Sequence, residues 1–173
     1  MKNAVFTAAV VLALTVAPAL AKGKKGNKAG KQLSDQAFVQ KAAEGGLAEV
    51  ELGKLAQEKG ASEQVKSFGQ RMVTDHGKAN NELKTLAQTK NITVPAAIGP
   101  HEKATRDRLA KLSGPAFDRA YMQAMLADHK KDVAEFQRES TAGKDAEIKS
   151  FAAKTLPTLE DHLKLARQAG SKK

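Results

Sequence analysis

The sequence contains no cysteine and no tryptophan, and it has only one tyrosine. Without cysteine, the chain can form no disulfide, no thiolate metal site and no cysteine nucleophile. Aromatic residues make up only 4% of the chain, which argues against a carbohydrate-binding or base-stacking surface. The stability of the protein must therefore come from the packing of its helices.

Several catalytic motifs are also missing. The sequence contains no His-Glu-x-x-His, no phosphate-binding glycine loop and no Gly-x-Ser-x-Gly. Ferritin-type di-metal sites need Glu-x-x-His, but the residues three positions before the relevant histidines are Val73, Leu126 and Leu159. Oxidase chemistry of that type is disfavoured, and we predict no catalytic residue.

No segment alternates between polar and apolar residues, so no β-sheet is expected. Apolar residues recur instead every three or four positions along four long segments, which is typical of amphipathic helices. The sequence predicts an all-α protein, a ferritin-like four-helix up-down bundle whose long crossover connection carries one extra short helix. The predicted helices cover residues 34–59, 62–88, 101–112, 115–142 and 145–168.

The N-terminal residues look like a targeting segment. A lysine, a short apolar run and the small-residue sequence Pro18-Ala19-Leu20-Ala21 predict a cleaved secretory signal peptide over residues 1–21. A basic tail is predicted over residues 22–33, the helical bundle domain over 34–170, and a C-terminal tail over 171–173. We expect a periplasmic or otherwise exported protein, with association with the cell envelope as an open alternative.

The formal net charge is +10, but five of the lysines lie in the basic tail. The remaining charges are mixed in sign along the helices, so nucleic acid is not an expected partner. The tail suits an anionic lipid or polysaccharide surface, or it is simply a solubilising linker. A protein partner bound along the long helices is the competing hypothesis to metal binding, and the oligomeric state is not assigned.

The dipeptide Asp-His occurs once in each of three long helices. Its histidines, His76, His129 and His162, lie on the apolar stripes of their helices, whereas each aspartate is about 100° away around the helix axis. A histidine on such a stripe is either a hydrogen-bonded core residue or a metal ligand. Because three of the four histidines share this placement, we interpret them as candidate ligands.

Met72 and Met125 each precede a candidate histidine by four residues and so lie on the same helix face. Imidazole with thioether suits copper, especially Cu(I), whereas imidazole with carboxylate suits zinc or iron. The alternative is that both methionines fill gaps in the core.

Positions along the helix axes add a carboxylate to the candidate metal ligands. If antiparallel helices are level at equal distances from their connection, His76 is level with Glu44, which becomes the sixth candidate ligand. The same count separates His129 from His162 by roughly 9 Å, unless a kink at Pro157 shortens the gap. One shared site, two smaller sites or none remain open.

Three sequence blocks together resemble the bacterial family called domain of unknown function 4142, and the likeness covers residues 35–169. That family is often labelled as predicted outer-membrane protein and is grouped with ferritin-like bundles, so the resemblance implies a helical bundle and export, with no established activity. The Met-x-x-x-His pattern is also distantly similar to a histidine-rich, copper-associated family of exported bundles. The blocks are F-G-Q-R-M-V-T-D-H-G-K-A-N-N-E-L-K-T-L-A, G-P-A-F-D-R-A-Y-M-Q-A-M-L-A-D-H and L-P-T-L-E-D-H-L-K-L-A.

Overall fold

A computed structural model describes Met1 and residues 34–170, and all the secondary structure in this part of the chain is α-helical. The predicted signal peptide, basic tail and C-terminal tail lie outside these ranges apart from Met1, so their roles stay predictions. None of the described helices is long and apolar enough to cross a membrane. The five helices are α1 (Asp35–Lys59), α2 (Glu63–Thr89), α3 (Pro100–Ala110), α4 (Gly114–Ala142) and α5 (Ala146–Gly170).

The helix ends lie close to the predicted ones because the capping residues are encoded locally. The hydroxyl of Ser34 accepts a hydrogen bond from the Ala37 backbone N–H, and Ser62 caps α2 in the same way. A proline occupies the first turn of both α3 and α4. Helix α5 continues through Pro157 without a break.

The long helices pack mainly in two pairs, α1 with α2 and α4 with α5. Helix α1 also contacts α4, α2 contacts α5, and the short α3 lies against α1 and α4. The α1–α2 pair is unusually close at Gly53 and Gly69, since a Cβ atom added to either glycine would lie 2.6 Å from the carbonyl oxygen of the other. This approach fixes the height of α1 relative to α2.

The core of the described part of the chain consists of two apolar clusters. One contains Phe68, Met72, Tyr121 and Met125, and the other is built around phenylalanine and leucine side chains. On each long helix, one buried polar residue lies in sequence between members of the two clusters. These residues are Glu49, His76, His129 and His162, and they form a polar layer between two apolar regions.

Candidate metal centre

The structure brings His76, His129 and His162 together from three different helices, α2, α4 and α5. All three are buried, with exposed fractions of 6%, 0% and 0%. Their ring centroids are 5.2 to 5.6 Å apart. One ring nitrogen from each histidine lies within 4.8 Å of the other two. Of the alternatives left open by the sequence, the geometry is that of one shared cluster.

One nitrogen of each ring has an acceptor outside the cluster. His76 Nδ1 is 2.8 Å from Glu49 Oε2, and His162 Nε2 is 2.8 Å from Asp75 Oδ2. His129 Nδ1 is 3.0 Å from the Met125 carbonyl oxygen. Metal-binding histidines usually donate their second N–H to a carboxylate or carbonyl in this way, because that bond fixes the ring and its tautomer.

The remaining ring nitrogens are those available to an ion. His129 Nε2 lies 3.3 Å from His162 Nδ1. His76 Nε2 is buried and has no hydrogen-bond partner. An orphaned buried nitrogen is costly unless something binds it. In each ring, one nitrogen is held by an acceptor outside the cluster and the other points towards the cluster. Three such imidazole nitrogens form a donor set suited to copper or zinc.

Glu49 supplies the negative charge of the cluster. Its side chain is 4% exposed, and Oε1 lies 3.2 Å from His129 Nδ1, although the geometry is not that of a hydrogen bond. Burial alone would raise the pKa of Glu49, but His76, His129 and His162 lower it to about 2. The carboxylate is therefore ionised in the folded protein.

His162 has the opposite electrostatic balance. Burial lowers the pKa of His162 to about 4, and the nearby imidazoles add to this effect, while the hydrogen bond with Asp75 opposes it. A neutral imidazole is the form that binds a metal ion, so His162 is in the competent protonation state at neutral pH.

Asp75 is itself held in place by a network that joins α2 to α5. Arg71 Nε donates to Asp75 at 3.2 Å, and the same guanidinium donates to Asp161 at 2.9 Å. Burial would raise the pKa of Asp75, but the hydrogen bonds with His162 and Arg71 lower it. Asp75 thus orients His162 directly, and Asp161 contributes to the same network through Arg71.

The other predicted ligands lie in different surroundings. Met72 and Met125 are fully buried in the cluster with Phe68 and Tyr121, and their role as ligands stays a prediction. Glu44 is half-buried beside Gly99, where its carboxylate blocks the space that a Cβ atom would need. The carboxylate paired with His76 is Glu49, and the role of Glu44 as a ligand stays a prediction.

The count of equal distances from the connection does not lead to Glu49 for a geometric reason. Helical side chains lean towards the N-terminus of their own helix, so residues that meet on antiparallel neighbours are not at equal distances from the connection. Glu49 leans away from the α1–α2 connection and His76 leans towards it, which brings them together. The same tilt, with an α4–α5 connection centred near residue 144, brings His129 level with His162 and removes the predicted 9 Å offset.

Comparisons with known proteins agree with a helical fold of this kind. The family described as Domain of unknown function (DUF4142) matches residues 20–169. No curated protein matches the chain.

Among solved structures, CopM in the Cu(II)-bound form has a TM-score of 0.68 at 19% identity, covering 80% of this chain and 97% of that chain. CopM co-crystallised with silver has a TM-score of 0.65 at 21% identity, covering 79% and 95%. A DUF305 fragment from Deinococcus radiodurans has a TM-score of 0.71 at 14% identity, covering 80% and 96%. At these identities the likeness concerns the fold alone.

Proposed function

The chain belongs to the DUF4142 family, and from this premise we propose that it is an exported, periplasmic protein that binds a transition-metal ion for sequestration or envelope stress protection. The proposal includes a ferritin-like four-helix up-down bundle as the scaffold. The signal-like N-terminal sequence supports export. Similarity to CopM, solved with Cu(II), Cu(I) and silver, supports a metal of the copper group.

The observation that carries the proposal is the way the three imidazoles are held. Each has one nitrogen anchored outside the cluster and one nitrogen directed at the other imidazoles, and the site is buried between two apolar clusters. In a purely structural histidine, both ring nitrogens would form hydrogen bonds with protein groups. His76 Nε2 forms no such bond. Zinc and iron remain alternatives to copper because they also accept imidazole ligands.

The test is calorimetric titration of the protein with Cu(II) and Zn(II), and with Ag(I) as a probe for Cu(I). We expect one strong site that H162Q weakens at least about tenfold, a loss of about 1.4 kcal/mol in binding free energy. H101Q is the matched control, because His101 is an exposed histidine on α3 outside the cluster. Wild-type affinity in the H76Q/H129Q/H162Q variant would refute the ligand assignment.

A second measurement does not depend on how these variants fold. In the wild-type protein, one equivalent of Zn(II) should shift the imidazole ¹⁵N resonances of the three buried histidines and leave those of His101 unchanged. A shift of the His101 resonances alone would place the ion elsewhere.

A further inference from the structure

A second polar cleft lies between α1, α3 and α4. It is lined by Glu49, Asp128 and Asp132, with His101 and Glu102 contributed by α3. The cavity measures about 40 Å³. A single water needs about 10–15 Å³ by the same kind of measure, so the cleft accommodates an ion with a few waters and excludes any organic ligand of ordinary size.

Two of the carboxylates that line this cleft lie close to each other. Ligand atoms of Glu49, His129 and Asp132 all lie within 4.8 Å of one another. Glu49 lines the cleft, and its Oε1 atom is buried without a hydrogen-bond partner. The N–H of His129 that could serve it is directed instead at the Met125 carbonyl. An orphaned carboxylate oxygen therefore lies on a cleft-lining residue that is only 4% exposed.

The surrounding charges leave this region short of positive charge. Burial raises the pKa of Asp132 well above its ordinary value, and the charges of Glu49, Asp128 and Glu135 raise it further. Lys131 opposes this shift, but the residue is exposed. Mutually repelling carboxylates in a partly enclosed space attract a cation.

We propose that the cleft binds one oxygen-preferring divalent cation, with the carboxylates of Glu49 and Asp132 as ligands and Asp128 lining the same cleft. One or two carboxylates completed by water are a usual ligand set for Mg²⁺-like ions, and Mn²⁺ shares this preference. The ligand atoms differ from those of the histidine cluster, since Glu49 Oε2 pairs with His76 whereas Oε1 has no hydrogen-bond partner. Glu49 thereby links two sites of different chemistry.

The experiment uses Mn²⁺ alone, because its free aquo ion is counted directly by electron paramagnetic resonance. The wild-type protein should bind one equivalent, and D132N should bind at least about tenfold more weakly. E160Q, which removes the same charge from an exposed position on α5, should match the wild type. Failure of the wild type to bind Mn²⁺ at millimolar concentration, or equal binding by D132N and E160Q, would overturn the proposal.

Two further measurements separate this site from the histidine cluster. H162Q should retain Mn²⁺ binding even though it weakens Cu(II) and Zn(II) binding, so either proposal can fail alone. Paramagnetic broadening of amide resonances in the wild type requires no variant. It should be strongest at His101, Asp128 and Asp132, and broadening centred on His162 would refute the second site.

Discussion

Glu49 and Glu139 are both buried residues, with exposed fractions of 4% and 3%, yet the pKa values of their carboxyl groups are shifted in opposite directions. The pKa of Glu49 falls to about 2 because three imidazoles outweigh the effect of burial. Burial raises the pKa of Glu139, and its neighbour Asp35 raises it further. The charge state of a buried acid in this protein is therefore decided by its neighbours.

The surroundings of Glu49 and Glu139 also indicate that the two residues have different roles. Glu139 lies near the end of α4, beside Gly143, where Asp35 accepts a hydrogen bond from the Lys144 backbone N–H. This contact ties the start of α1 to the α4–α5 connection. Glu49 lies in the polar layer between the apolar clusters and faces groups that can bind an ion. We interpret Glu139 as part of the scaffold and Glu49 as part of the site.

The largest effect should come from E49Q. This variant removes the anionic partner of His76 and its neighbours, and breaking such a buried pair costs about 3 kcal/mol in the free energy of unfolding. Affinity for Cu(II) or Zn(II) should fall between about 10- and 100-fold, as for other residues that orient metal ligands. Urea denaturation and calorimetry measure the two quantities. If E49Q and E139Q changed stability equally, the contrast between the two glutamates would be wrong.

A second test concerns the close approach that sets the height of Glu49. In G53A the new Cβ would meet the Gly69 carbonyl at 2.6 Å, so α1 and α2 must separate. We expect a loss of about 1–3 kcal/mol in unfolding free energy, accompanied by weaker metal binding. The control is G77A, whose Cβ meets nothing within 4 Å, and which should gain about 0.5–1 kcal/mol from reduced chain entropy. If the metal affinity of G53A were unchanged, the contact between Gly53 and Gly69 would not determine the geometry of the metal site.

The smallest effect should come from E139Q, and it depends on pH. Because the folded-state pKa of Glu139 lies above the ordinary 4.5, the wild type loses stability as the pH rises through this range, while glutamine does not titrate. The unfolding free energy of E139Q relative to the wild type should therefore be up to about 1 kcal/mol higher at pH 7 than at pH 4. Thermal unfolding at the two pH values checks this, and a larger loss of stability at pH 7 than at pH 4 would contradict it.

The helices could be predicted from the sequence because their signals are local. Ser34 and Ser62 as caps, the prolines near the starts of α3 and α4, and the apolar stripe of α2 all act within a few residues of their own positions. The inward placement of the three histidines follows from the same periodicity. These features require no knowledge of how one helix lies against another.

The partners of the histidines could not be predicted in this way. Glu49 and Asp132 reach the site only because α1 and α4 have particular heights and rotations, which depend on contacts such as that between Gly53 and Gly69. A count corrected for side-chain tilt would have favoured Glu49 over Glu44. Asp75 was placed on a flank of its helix, but its bond to His162 depends on the distance between α2 and α5.

The polar layer takes one side chain from each of the four long helices, and these side chains come from positions as far apart as residues 49 and 162. An ion held there would act as a cross-link between segments that are remote along the chain, so part of its binding free energy would become resistance to unfolding. At a free ion concentration one hundred times the Kd, this gain is about 2.7 kcal/mol. The metal-bound protein would then resist thermal unfolding and proteolysis better than the metal-free protein, and a chelator would abolish this difference.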